Sequence, residues 1–135
     1  MPFIIYPQAD NKLAVIIPTG DVNDCIKDVP EGVPHAIVES IDGVDNDYFD
    51  GFVYADGEAV ADITRVKAIH LNKWRSARAP KLAALDIAYS RADEAGDSAK
   101  KSEVAGQKQA LRDVTKTALP DTLPEIKAVW PEILT

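Results

Sequence analysis

A chain of 135 residues, 46% hydrophobic and 27% charged, has the size and composition of one domain or two small modules of an ordinary globular protein. No apolar run approaches the roughly 20 residues needed to span a bilayer. The opening residues lack the basic start and long apolar core of a secretion signal, so synthesis in the cytoplasm is expected. The formal charge of −7 is unevenly spread. Residues 1–61 hold two lysines against twelve acids, whereas residues 62–135 hold thirteen basic residues against ten acids. This split suggests two modules, and it argues against nucleic acid as a partner of the acidic half.

The N-terminal half is punctuated like a set of strands. Phe3–Tyr6 and Leu13–Ile17 are β-branched and aromatic runs on either side of a turn at Ala9–Lys12, the pattern of a β-hairpin. Pro7 falls at a strand end, where its missing donor does little harm. Pro18–Asp21 stops the second run, and Asp21 can cap a short helical turn over Val22–Ile26. Asp28–Pro34 reads as a rigid turn before a third strand, Ala36–Val38. Ile41–Asp50 reads as an acidic loop. Phe52–Tyr54 and Ala59–Ala61 then form a second hairpin about Asp56–Gly57. A sheet this small leaves an edge able to accept a partner strand.

The period changes near Asp62. Val66, Ile69, Trp74, Leu82, Leu85, Tyr89 and Ala92 fall near spacings of three and four, which predicts a helix. Pro80 predicts a kink there, or two helices meeting. Gly96 suits a helix end and Ser98 the next helix start. A second helix running to about Thr117 turns Val104, Leu111 and Val114 toward the first, and Gly106 marks a weak point or a close approach. Thr122–Glu125 reads as a capping box with Pro124 in the first turn of a last short helix, ending before Trp130–Pro131. The predicted fold class is α+β. A small N-terminal antiparallel β module, residues 1–61, precedes a C-terminal α-helical hairpin with a short terminal helix, residues 62–135.

Residues that carry chemistry are sparse. One cysteine, Cys25, excludes an intramolecular disulfide, and it lies among acids rather than the cations that activate a thiolate. His35 and His70 stand in different modules and do not make a zinc set. The acidic loop fails as an EF-hand: counted from Asp45, Phe49 and Asp50 take the fifth and sixth places and Asp56 the twelfth, where glutamate belongs. No nucleophile elbow, phosphate-binding loop or dinucleotide fingerprint occurs. Arg65, Lys67, Lys73, Arg75, Arg78 and Lys81 form a basic stripe with one aromatic, Trp74; a solvated or acid-paired helix face accounts for it better than phosphate binding. Arg75 and Arg78 can stack on Trp74 or bridge to acids across the hairpin. No catalytic residue, metal or cofactor is expected. Trp74, Tyr89 and Trp130 read as core, or as an apolar stripe left for another copy or another protein.

At Arg75, Arg78, Leu82, Leu85 and Asp86, then Lys108–Val114, then Trp130–Pro131, the helical half resembles the C-terminal region of tail-fibre assembly proteins of tailed phages. The N-terminal half is similar to small proteins encoded among phage tail genes, through Ala14–Pro18 and Lys27–Pro34. It differs at Tyr48–Phe52 and in lacking an aromatic before Arg112. The resemblance implies a non-catalytic protein, made in the host cytoplasm and retained in some cases on the virion tail. Its implied partner is a trimeric tail fibre, with other tail or baseplate proteins and self-association as further contacts, and neither nucleic acid nor membrane. Trp74, Arg75, Arg78, Tyr89, Arg112 and Trp130 are the expected partner-binding side chains. A structural baseplate protein without a chaperone role, or a small phage protein that binds a host protein, fits the same features.

Overall fold

The computed structural model describes residues 2–135. It has the α+β architecture expected, with antiparallel strands first and helices after. Two compact units divide the chain, one reaching to Ile69 and the other spanning His70–Thr135, so the division falls inside the first long helix.

In the first unit, β1 (Phe3–Pro7) lies between β2 (Leu13–Ile16) and β3 (Ala36–Val38), with Ile5 opposite both Val15 and Ala36. Neighbouring residues of a strand point to opposite faces, yet Ile4 and Ile5 both have 0% exposure. The central strand is therefore covered on both sides, which is why its sequence is a continuous apolar run and not an alternation. The β1–β2 connection closes with Gln8 N–H donating to the Lys12 carbonyl at 2.7 Å. It places Asp10 and Asn11 at φ 60°, a left-handed region these two residue types tolerate. β4 (Phe52–Ala55) and β5 (Glu58–Ala61) form the second hairpin. Its two turn residues, Asp56 and Gly57, have φ of 48° and 85°, the mirror-image turn whose twist suits a two-residue connection. The strands thus make two sheets, in the orders β2-β1-β3 and β4-β5, and an isolated bridge between Lys12, just before β2, and Val53 of β4 links them.

The connections are more ordered than their sequences suggest. Asp21 caps the turn at Val22–Asp28 by accepting from Asn23 N–H at 2.9 Å, as expected. The segment read as an acidic loop contains a 3-10 turn, Asn46–Gly51, capped by Asp45 accepting from Asp47 N–H at 3.0 Å. Tyr48 drives that turn, because its ring is buried while Asp47 and Asp50 stay in solvent. Gly51 then meets the start of α1 (Ile63–Glu94): its carbonyl accepts from Asp62 N–H at 2.8 Å, and a Cβ there would lie 2.8 Å from Val66 Cγ2. Asp62 caps α1 through Arg65 N–H, 3.3 Å away.

α1 runs on through Pro80, so of the two alternatives expected there, two helices meeting is not the one found. Ser76, whose carbonyl would have received the missing amide, is exposed together with Pro80, so water can satisfy it. The hairpin joint is a Schellman end: Asp97 N–H donates to the Ala92 carbonyl at 2.9 Å and Gly96 N–H to Asp93 at 3.1 Å, with Gly96 at φ 69°. Asp97, not Ser98, is the cap of α2 (Ser98–Asp113), its carboxylate accepting from Lys100 N–H at 3.0 Å. One residue thus closes one helix with its amide and opens the next with its side chain. α2 stops at Asp113, short of Thr117, and a 3-10 turn at Val114–Lys116 follows. In α3 (Leu123–Ala128), Thr122 holds the cap position without a side-chain bond, so the expected capping box is not formed; Ile126 N–H to the Thr122 carbonyl at 2.9 Å starts the helix.

Trp74, Leu111, Val114 and Leu134 make the core of the second unit, with Leu82, Leu85 and Val129 among the half-buried residues packed on it. Trp74 has 0% exposure and its indole N–H has no partner. Leaving that donor unpaired costs about 1–3 kcal/mol. Burying the ring returns about 4–6 kcal/mol at the usual transfer coefficient, so burial wins.

Two glycines should respond oppositely to alanine. Gly51→Ala forces a methyl into Val66 and is expected to destabilise by about 1–3 kcal/mol. Gly106 faces open space inside α2, so it is not a close approach, and Gly106→Ala should stabilise by about 0.5–1 kcal/mol. Urea melts of both variants check this; shifts of the same sign would contradict the packing.

Candidate functional site

Of the side chains expected at a partner surface, the second unit divides buried from presented. Trp74 is wholly enclosed and has no surface to offer; it belongs to the core. Neither arginine behaves as expected toward acids across the hairpin. Arg75 bonds Asn72 Oδ1 at 2.7 Å, one turn back on its own helix. Arg78 does cross to α2, but onto backbone: its Nη1 donates to the carbonyls of Arg112 at 3.1 Å and Leu111 at 3.4 Å, and to Thr115 Oγ1 at 3.4 Å. These carbonyls lie at the helix C-terminus, where orphan acceptors and the negative dipole end favour a cation. Arg112 itself is exposed, so α2 carries one arginine outward while receiving another on its backbone.

Tyr89 sits in a ladder between the two helices. Lys101 pairs with Asp93 at 2.7 Å and Lys108 with Asp86 at 2.6 Å, in antiparallel register. Both ammonium groups approach the Tyr89 ring, at 5.5 Å and 5.4 Å from its centre. The hydrogen bond to Asp93, and then its charge, raise Lys101 above 10.5. Lys116, and then Gln109, hold Asp113 below 3.8. The Lys101 contribution is therefore present below 10.5 and lost as pH rises through the higher folded value. The Asp113 contribution is present above 3.8 and lost as pH falls through the lower folded one.

The outward apolar surface comes from the closing segment. Val129 packs on the core and Leu134 is buried in it, while Trp130 and Ile133 between them are 44% and 41% exposed. His70 fixes the start of this segment: its Nε2–H donates to the Val129 carbonyl at 2.7 Å, and its ring meets Trp130 edge-on at 6.2 Å. The turn Glu132–Leu134 completes the placement. Ile133 then borders a shallow groove of about 360 Å³ with Leu85 and Leu111 at its base and Lys81 at its rim. Lys81 Nζ also donates to the Thr135 carbonyl oxygen at 3.1 Å. No motif singles out Ile133, Leu134 or His70; the apolar pair after Pro131 is the available signal in the sequence.

Arg65, from the same basic stripe, belongs to the first unit, where it donates to the Asp10 carbonyl and pairs with Asp62 at 3.5 Å. Lys12 pairs with Asp50 at 2.9 Å, which engages one acid of the Asp45–Asp56 stretch. Among the described residues, no group of three or more His, Cys, Asp or Glu converges as a metal site, and no helix is long and apolar enough to cross a membrane. Set against known proteins, the chain matches no family model, no curated relative and no solved structure.

Leu111→Asp places an unpaired charge beside Trp74 and should abolish cooperative folding of the second unit, a loss of about 4 kcal/mol or more. Leu85→Asp, at a half-buried groove position, should cost about 1–3 kcal/mol and leave a folded hairpin. Thermal melts followed by helical circular dichroism separate the two; equal losses would mean the groove is closed in solution.

Proposed function

We propose that this chain is a non-catalytic protein that binds the tail fibre of a tailed phage and assists its assembly or attachment. The observation that carries this is the closing segment, which holds Trp130 and Ile133 outward between the anchored Val129 and Leu134. Large apolar side chains kept exposed on a fixed backbone have their ordering entropy already spent, which is what a binding anchor requires. The groove between Leu85 and Leu111 lies next to Ile133 and gives a partner side chain a place to enter. Arg75 and Arg112, both exposed, supply the charged surroundings that steer a partner without dominating affinity.

The partner class comes from the resemblance of the helical half, at Arg78, Leu82, Leu85 and Lys108–Val114, to tail-fibre assembly proteins. A fibre is long and trimeric, and before it is complete it exposes apolar surface that a small companion can cover. Retention on the virion tail and contact with baseplate proteins extend the same proposal.

Co-expression with a tail-fibre gene, followed by affinity capture and mass measurement, is the test. A complex with the fibre is the expected outcome; its absence both there and in purified particles would reject the fibre and favour a host-protein partner. Mass spectrometry of particles then separates a transient assembly factor, absent from them, from a resident component at fixed copy number. Trp130→Ala should weaken capture by about 1–3 kcal/mol with little change in melting temperature. Undiminished binding would remove Trp130 from the contact.

A further inference from the structure

The first unit leaves sheet edges open. In the orders β2-β1-β3 and β4-β5, the outer edges of β3 and β5 have no strand beside them among the described residues. The β4–β5 turn nevertheless comes back to β3, since a Cβ on Gly57 would lie 3.6 Å from that of Ala36. A groove of about 310 Å³ lies here, lined by Ile5 and Val38 from the sheet, Ile41 and Val44 from the loop after β3, and Gly57 and Ala59 from the second hairpin.

Two independent features of this place agree. Ala36 and Val38 share one face of β3 with the groove-lining Ile5, so a strand paired to β3 would send alternate side chains toward the groove. Second, residues 28–64, which build both walls, contain ten acids and not one lysine or arginine. Glu39, Asp42 and Asp56 are exposed there, and Glu58 lines the groove itself.

We infer that this groove takes an extended, basic segment of a partner protein, added as a strand to the free edge of β3. An apolar side chain enters between Val38 and Ala59, and lysine or arginine on either side of it meets Glu39 and Glu58. Main-chain hydrogen bonds supply the pairing, the groove selects the inserted side chain, and the acids select its neighbours. This rests on the proposal that the chain works by holding another protein, and it adds a second contact, distinct from Trp130 and Ile133, with its own chemistry.

The test uses the full chain, labelled with nitrogen-15, and a capped octapeptide of alternating valine and lysine. Amide shifts should concentrate in β3, residues 39–44 and residues 56–60, and binding should weaken with salt. The double variant E39K/E58K, changed only at exposed positions, should keep its melting temperature and bind about tenfold more weakly. No binding, shifts confined to the second unit, or equal binding of a valine–glutamate octapeptide would overturn the inference. Fibre capture separates it from the proposed function. A fibre held equally well by E39K/E58K overturns the groove and leaves the fibre. A peptide bound along β3 without any fibre capture keeps the groove and overturns the fibre.

Discussion

Trp74 has to be buried before anything else in the C-terminal unit can hold its place. Two helices joined by a short connection share a narrow seam, and most of what faces it is alanine, half-buried leucine or the stem of a lysine. The indole fills that seam against Leu111 and Val114, and it gives Leu134 something to pack on from the closing segment. It does so with its N–H unpaired. The apolar gain exceeds that penalty by a few kcal/mol, and it also specifies the packing, since any shift that wets the indole gives up more in apolar burial than it recovers in one hydrogen bond. The outward placement of Trp130 and Ile133 follows from this, because both hang between residues whose burial depends on the same ring.

The two units solve the problem of a small core differently. In the first, a central strand covered on both faces buries Ile4 and Ile5, its neighbour β2 adds Leu13 and Ala14, and the connections are left to aspartate-capped turns. Asp21 and Asp45 close these turns with side-chain acceptors that cost no apolar surface. The acids so numerous in this half are therefore partly structural. In the second unit the backbone is satisfied by cations and shared residues. Arg78 supplies donors to the end of α2, and Asp97 serves two helices at once.

Strand positions are legible in the amino-acid sequence because each run is short and bounded by residues with a specific backbone need, such as Asp56-Gly57 and Pro18–Asp21. The helical joint is legible at Gly96 for the same reason. The neighbouring cap falls one residue earlier than expected, because Asp97 and Ser98 are both good caps and only the backbone turn decides between them. Pro80 leaves one helix or two undecided, because sequence does not reveal whether the freed carbonyl faces water. The presented surface is the least legible part. Trp74 and Trp130 are chemically identical, and burial separates them only through the fold. Arg78 finds carbonyls, which no charge pattern in a sequence can display. Ile133 and Leu134 look alike in sequence, and only the turn at Glu132 sends one into solvent and the other into the core.

Both tryptophans lie in the unit beyond Ile69, one enclosed and one half in solvent, whereas the first unit contains only tyrosines as its larger chromophores. The chain is thus optically labelled by its own composition. Tryptophan emission reports the helical unit alone, and its two components differ in colour because one indole is dry and the other wet. The core of the helical unit must bring Trp74 to Leu134, a longer span of chain than the Phe3–Val38 pairing of the sheet, so its closing is a non-local event that local helix formation precedes. Stopped-flow emission set beside far-ultraviolet dichroism would time burial of the indole against helix formation within this unit without any attached probe, and coincident traces would show that its helices form only as the core closes.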